Sequence, residues 1–190
     1  MKKYLNIMLV FGLMIGAFSC QNSDWEFDDF EYTTTYFPYQ TPVRTLVLDE
    51  TYVFDNSNDL NLKFFISAAM GGVYENNQDI MVEFQIDNSL AEDLLTGSGD
   101  TVRALPESYY SILNAGNTLI IPSGKLSGGI EVQLTDAFLN DSMAVGVNYV
   151  IPVRLVSSST DSILSGRPIS ENPDIRDFEA WQVNPKNFTL

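Results

Sequence analysis

The sequence predicts an all-β chain: an antiparallel β-sandwich of about seven or eight short strands, with one or two short helices. Three observations carry that expectation. Apolar residues make up 45% of the 190, enough for a core, and aromatics reach 12% beside scattered Val, Ile and Thr, which suit pleated surfaces. Apolar positions recur at the two-residue period of a half-buried strand in Ile80–Ile86, Ile130–Leu134 and Tyr149–Leu155. Clusters of Gly, Pro, Asn and Asp punctuate the chain between them, and no long helical period competes.

Thr33–Phe37 and Val43–Leu48 read as an opening pair of strands split by Pro38 and Pro42. Leu60–Ala68 is rich in apolar residues and is expected as a buried strand. Ser89-Leu90-Ala91-Glu92 has the spacing of a capping box and predicts a short helix reaching Leu95. Gly97–Asp100 is a loop. Tyr109–Leu113 and Thr118–Ile121 read as strands joined directly across Asn114–Asn117. Pro152 has no N–H to give a ladder, so the strand containing it is expected at a sheet edge. The end of the chain carries Pro168, Pro173 and Pro185 around an apolar cluster of Ile175, Phe178, Trp181 and Val183. The expected organisation is a signal peptide over 1–19, an acidic tether over 20–31, the sandwich over 32–166, and over 167–190 a connector or the shortened start of a further module.

Counting excludes several chemistries. With no histidine there is no Ser-His-Asp triad and no His-liganded metal. One cysteine makes neither an internal disulfide nor a zinc cluster. Twenty-five acidic against ten basic residues, a net charge of -15, speak against nucleic acid, whose phosphates need clustered cations. The expectation is a non-enzymatic chain with no catalytic residue, metal or cofactor.

The N-terminus is the most specific segment. Met1-Lys2-Lys3 is a short basic lead, Leu5–Phe18 an apolar run too short to span a bilayer, and Ala17-Phe18-Ser19-Cys20 closes it on the chain's sole cysteine. This resembles a bacterial lipobox, in which the cysteine thiol takes a diacylglyceryl group and becomes the first mature residue. Two or more acyl chains anchor stably, because each buried CH₂ contributes about 0.8 kcal/mol. The acidic run Ser23–Asp29 resembles the signal that sends Bacteroidetes lipoproteins to the outer face of the outer membrane. The implied location is the cell surface, with outer-membrane lipid as the partner of lipidated Cys20.

Three further stretches carry a resemblance: "TTYFPYQTPVRTLVLDE", "ALPESYYSILNAGNTLIIPSGKLSGGIEVQLTD" and "NYVIPVRLVSSSTDSILSG". The second holds Leu105-Pro106, Tyr110, the turn Ile121-Pro122-Ser123-Gly124 and an alternating strand. In this order they resemble the N-terminal Ig-like domain of unknown function of Bacteroidetes surface lipoproteins, over about Tyr32–Gly166. The resemblance implies an Ig-like antiparallel β-sandwich, set ahead of family-18 endoglycosidase, lectin-like or other glycan-related modules. It carries over no catalytic residue. The function it implies is a non-catalytic glycan-binding or spacer module in polysaccharide capture, with glycans or polysaccharide-uptake proteins as partners. The alternative is a structural or adhesive subunit working through strand edges.

Asp55–Asp59 alternates oxygen-bearing side chains, but Leu60 and Ile66 stand where an EF-hand needs Gly and Glu, so a polar hairpin loop is expected. Glu92-Asp93 are adjacent and cannot converge on one bond as a hydrolytic pair. Gly71-Gly72 and Gly128-Gly129 lack the Lys-Ser/Thr of a phosphate loop. Tyr109, Tyr74 and Trp181 are candidate platforms for sugar rings. Tyr109 and Tyr110 cannot both face the core, and Tyr110 is expected inside. Asp100-Thr101-Val102, Asp141-Ser142-Met143 and Asp161-Ser162-Ile163 resemble the Asp-Ser/Thr-apolar acceptor of Bacteroidetes O-glycosylation. They make Thr101, Ser142 and Ser162 candidate acceptors, expected in loops.

The lipid-anchor reading has a direct check. In a bacterium that processes lipoproteins, the chain is expected in the detergent phase of a Triton X-114 partition, and Cys20→Ala in the aqueous phase.

Overall fold

In the computed structural model, which describes residues 30–38, 55–144 and 146–190, the alternating stretches form the strands that carry the core. The order is β1 (Thr34–Tyr36), α1 (Ser57–Leu60), β2 (Lys63–Gly71), β3 (Ile80–Ile86), β4 (Val102–Ala104), β5 (Tyr110–Ile112), β6 (Thr118–Ile121) and β7 (Ser127–Leu134). Then follow α2 (Asp136–Leu139), β8 (Asn148–Val150), β9 (Val153–Ser158), β10 (Ser162–Ile163), β11 (Arg167–Pro168), β12 (Trp181–Val183) and β13 (Phe188–Thr189). Cys20, the segment before it and the expected strand Val43–Leu48 lie outside the described residues. Among the described residues no helix is long and apolar enough to cross a membrane.

Five strands form one sheet in the order β10-β1-β2-β7-β5, and four form the other in the order β13-β9-β3-β6. The long pairs are antiparallel: Lys63 opposite Gln133 through Ala69 opposite Ser127, and Ile80 opposite Ile121 through Glu83 opposite Thr118. Two short pairs are parallel, β1 with β10 and β4 with β8. The two inner faces meet through Ala68, Met70, Ile130, Val132 and Tyr110 on one side and Ile80, Val82, Phe84, Leu119 and Leu155 on the other, all buried. Burial of such side chains stabilises by about 1.5–3 kcal/mol each. The fold is the expected all-β sandwich.

Several local expectations change. The strands joined across Asn114–Asn117 lie in different sheets: β5 pairs β7, and β6 pairs β3. The connecting turn holds Gly116 at φ 62 and Asn117 at φ 54, and these left-handed residues turn the chain across to the second sheet. Pro152 is buried and marks no edge. The stretch Tyr149–Leu155 breaks there, with β8 pairing β4 and β9 lying inside the four-stranded sheet. The missing N–H ends one ladder and begins another, while the Pro152 carbonyl accepts from Asp87 N–H at 2.9 Å.

The expected helix at Ser89 is one 3₁₀ turn over Asn88–Ala91. Ser89 Oγ donates to Asp87 Oδ1 at 2.5 Å, so that hydroxyl caps no backbone N–H, and extended backbone at Glu92 ends the turn. Asp55–Asp59 is not a hairpin loop: Asp55 Oδ1 accepts from Ser57 N–H at the entry to α1. Leu60 ends that helix exposed, and the strand begins only at Lys63. In the C-terminal apolar cluster, Phe178 and Val183 are exposed. Within 167–190, Phe188 and Thr189 pair with Arg154 and Val153 of the four-stranded sheet.

The corner between β6 and β7 admits no side chain. A Cβ on Gly128 would collide with the Ile120 carbonyl and the Ile121 backbone, which have no room to yield. Gly128→Ala is therefore expected to lower unfolding free energy by about 1–3 kcal/mol in urea titration. Gly97→Ala, with open space around its Cβ, is expected to stay within about 0.5 kcal/mol of the parent.

Candidate functional site: a cleft at one end of the sandwich

β2 ends at Gly71 opposite Thr34, β3 begins at Ile80, and β9 ends at Ser158 opposite Val82, so these termini gather at one end of the sandwich. There a cleft of about 310 Å³ opens between the two sheets. Its apolar side is Met70, Val73 and Ile80, continuous with the core. Its polar side is Thr33, Glu75, Asn77, Gln78 and Ser159. An apolar floor with a few convergent polar groups is the usual composition of a small-ligand site.

The loop that supplies most of this lining is pinned from below. Asn76 is only 4% exposed. Its Nδ2 donates to the carbonyls of Pro122 and Lys125, each at 3.0 Å, and its Oδ1 accepts from Gln78 N–H at 3.2 Å. Gly124 N–H donates to the Asn76 carbonyl at 2.6 Å, and Asp79 Oδ1 accepts from Ser123 N–H at 2.8 Å. Neighbours in this run, Glu75, Asn77 and Gln78, stay exposed at the opening. Tyr74 precedes them, with 58% of its surface exposed.

The opposite wall is a ladder of hydroxyls. Thr35 is fully buried, and its Oγ1 shares hydrogen bonds with Ser158 Oγ at 2.8 Å and Thr160 Oγ1 at 2.9 Å. Asp161 Oδ2 accepts from Thr33 N–H and from Thr33 Oγ1, both at 2.7 Å. Those two donors, the backbone N–H first, hold the Asp161 carboxyl below the ordinary 3.8. Ser159 is held by Met81, whose N–H donates to Ser159 Oγ at 3.0 Å and whose carbonyl accepts from Ser159 N–H.

The residues singled out in the sequence are dispersed. Tyr74 immediately precedes the lining run in the chain and is not among the residues that line the cleft. Tyr109 lies at the other end, beside the pairing of Tyr110 with Leu134. It is half-buried and packs edge-on against Phe138 and Tyr149 at 6.1 Å each, while Tyr110 is buried as expected. Desolvation, then Asp141, raise the Tyr109 hydroxyl above the ordinary 10.0. Trp181 sits on the β11–β12 ribbon, and its Nε1 donates to the Asp174 carbonyl at 3.0 Å. Ser142 is exposed in a turn. Thr101 bridges to Leu95 and lines a second hollow with Arg103 and Asn148. Ser162 is not in a loop: it belongs to β10, and its N–H donates to the Thr33 carbonyl at 3.2 Å. Glu92 and Asp93 contribute to neither hollow. Sequence reasoning missed the run Glu75–Asp79, whose one signal is five consecutive polar residues between two strands.

Residues 30–162 match a family model described as a "-like, N-terminal domain". A crystal structure from Bacteroides ovatus, of a structural-genomics protein of unknown function, is 38% identical and covers 85% of this chain with a TM-score of 0.77. This chain spans only 51% of that protein. A second Bacteroides ovatus structure, described as a candidate carbohydrate-binding protein, is 23% identical over 70% of this chain and 34% of its own, with a TM-score of 0.45. No curated protein matches the sequence.

Two predictions follow from the pinned walls. Asn76→Ala removes both side-chain donations and the bond to Gln78, and is expected to cost about 1–3 kcal/mol in chemical unfolding. Asp161, followed by carboxyl NMR against pH, is expected to titrate below 3.8. Because its folded pKa is depressed, its contribution to stability is complete above that value and disappears as pH falls through the folded midpoint.

Proposed function

Since the chain belongs to the "-like, N-terminal domain" family matched over residues 30–162, a domain it shares with a Bacteroides protein of unknown function, we propose a non-catalytic role in glycan capture. In this reading the chain is a cell-surface lipoprotein held by acylated Cys20. It works beside a polysaccharide-uptake system, either binding glycan itself or spacing a glycan-active module from the membrane. The observation that carries the proposal is the end cleft. Sugars present hydroxyls around their rims and C–H groups on their faces. The exposed Asn77 and Gln78 amides offer donors and acceptors to hydroxyls, and Met70, Val73 and Ile80 offer apolar surface.

One observation favours a second reading. Met81 and Ile120 are cross-strand neighbours, 59% and 51% exposed, on the outer face of the four-stranded sheet next to its β6 edge. An apolar pair beside a sheet edge suits strand addition by a neighbouring subunit, the structural or adhesive role.

A glycan array probed with the purified chain separates the two. Capture predicts binding to at least one polysaccharide class with no sugar released. The adhesive reading predicts an empty array and concentration-dependent polymers in light scattering, which Ile120→Lys abolishes.

A further inference from the structure

We infer that the end cleft selects uncharged saccharides and rejects uronate-bearing or sulfated ones. This deepens the glycan-capture reading and rests on it.

The argument is electrostatic. Among the described residues lining the cleft, Glu75 is the one ionisable side chain, and none is a lysine or arginine. Asp79 follows in the same loop, fixed by its bond from Ser123 N–H. Asp161 stands behind Thr33, fixed by two short donations from that residue. Lys125 gives the site its backbone carbonyl, which accepts from Asn76, and its side chain is not among the lining. Three other described cations are bound elsewhere: Lys63 with Glu131, Arg154 with Asp87 and Arg176 with Asp174.

A carboxylate or sulfate entering the cleft would lose hydration and meet fixed negative charge with no counter-cation. One such like-charge contact at partly screened distance costs about tenfold in affinity. The net charge of -15 adds a longer-ranged repulsion that salt reduces. A neutral sugar reverses the balance: its hydroxyls donate to Glu75 and exchange hydrogen bonds with the Asn77 and Gln78 amides, all exposed at the opening. Met70, Val73 and Ile80 supply apolar surface beside them.

The test is calorimetric titration of the full chain, in mild detergent at about 0.15 M salt. The neutral probes are mannan, dextran and galactan oligosaccharides, and the acidic ones are polygalacturonate and hyaluronan oligosaccharides of matched length. At least one neutral probe is expected to bind, with every acidic probe weaker by roughly tenfold or more. Asn77→Ala is expected to weaken the neutral probe about three- to tenfold. Glu75→Gln is expected to narrow the gap between neutral and acidic probes. Both positions are exposed, and thermal melts confirm that the variants fold.

The failures are distinguishable. An acidic probe bound as tightly as the neutral ones overturns the charge selection and leaves glycan capture standing. Neutral binding indifferent to both Asn77→Ala and Glu75→Gln moves the site away from this cleft and overturns the inference alone. Binding of no saccharide overturns the inference and the glycan-capture reading together.

Discussion

The hydroxyl of Thr35 is the constraint on which the rest of the arrangement depends. Thr35 belongs to the five-stranded sheet, opposite Met70, and is fully buried. A buried hydroxyl without partners costs about 1–3 kcal/mol, so its place is tolerable only where oxygens converge on it. Ser158 closes the four-stranded sheet's β9, and Thr160 sits on the crossover to β10. Bonding both ties the two sheets together at one end and sets where the crossover must pass. From there β10 runs parallel to β1, with Thr34 opposite Ser162. A shift of one residue in β1 would bury a different side chain and lose the knot.

The cleft inherits its shape from that knot. Ser159, between two knot residues, and Thr33, two positions before Thr35, form one wall, while the loop pinned by Asn76 forms the other. Neither wall belongs to a single sheet, which is why the hollow opens between the sheet ends and reaches the core side chains Met70 and Ile80. The functional reading follows from composition: neutral donors and acceptors beside apolar surface, with negative charge fixed around them.

Much of the framework was legible because burial writes itself into the sequence at the period of two. Ile80, Val82 and Phe84 face in and Met81, Glu83 and Gln85 face out, as their alternation requires. Alternation allowed only one of Tyr109 and Tyr110 inside, and the family resemblance at Tyr110 chose between them. Pairing was less legible, because nothing local distinguishes a hairpin at Asn114–Asn117 from a crossing between sheets. The site was least legible of all. Asn76 bonds partners 46 and 49 positions away, and Thr35 bonds partners 123 and 125 positions away. Asn, Ser and Thr in such stretches read as turn residues, and only tertiary contact turns them into buried pins. The cysteine proposed as the anchor is the reverse case, since that reading rests wholly on local order: basic lead, apolar run, small or apolar residues, Cys20.

The most direct measurement is native-state amide hydrogen exchange on Thr35→Val, which keeps the shape and deletes the hydroxyl. The account predicts that protection falls by about 10–100-fold at Ser159, Ser162 and Leu164. Their amides bond the carbonyls of Met81, Thr33 and Thr35 around the knot. Ile130 and Val132 in the middle of β7 are predicted to keep theirs. Unchanged protection around the knot, or an equal fall throughout both sheets, would contradict a local tie that holds the sheet ends and the cleft in place.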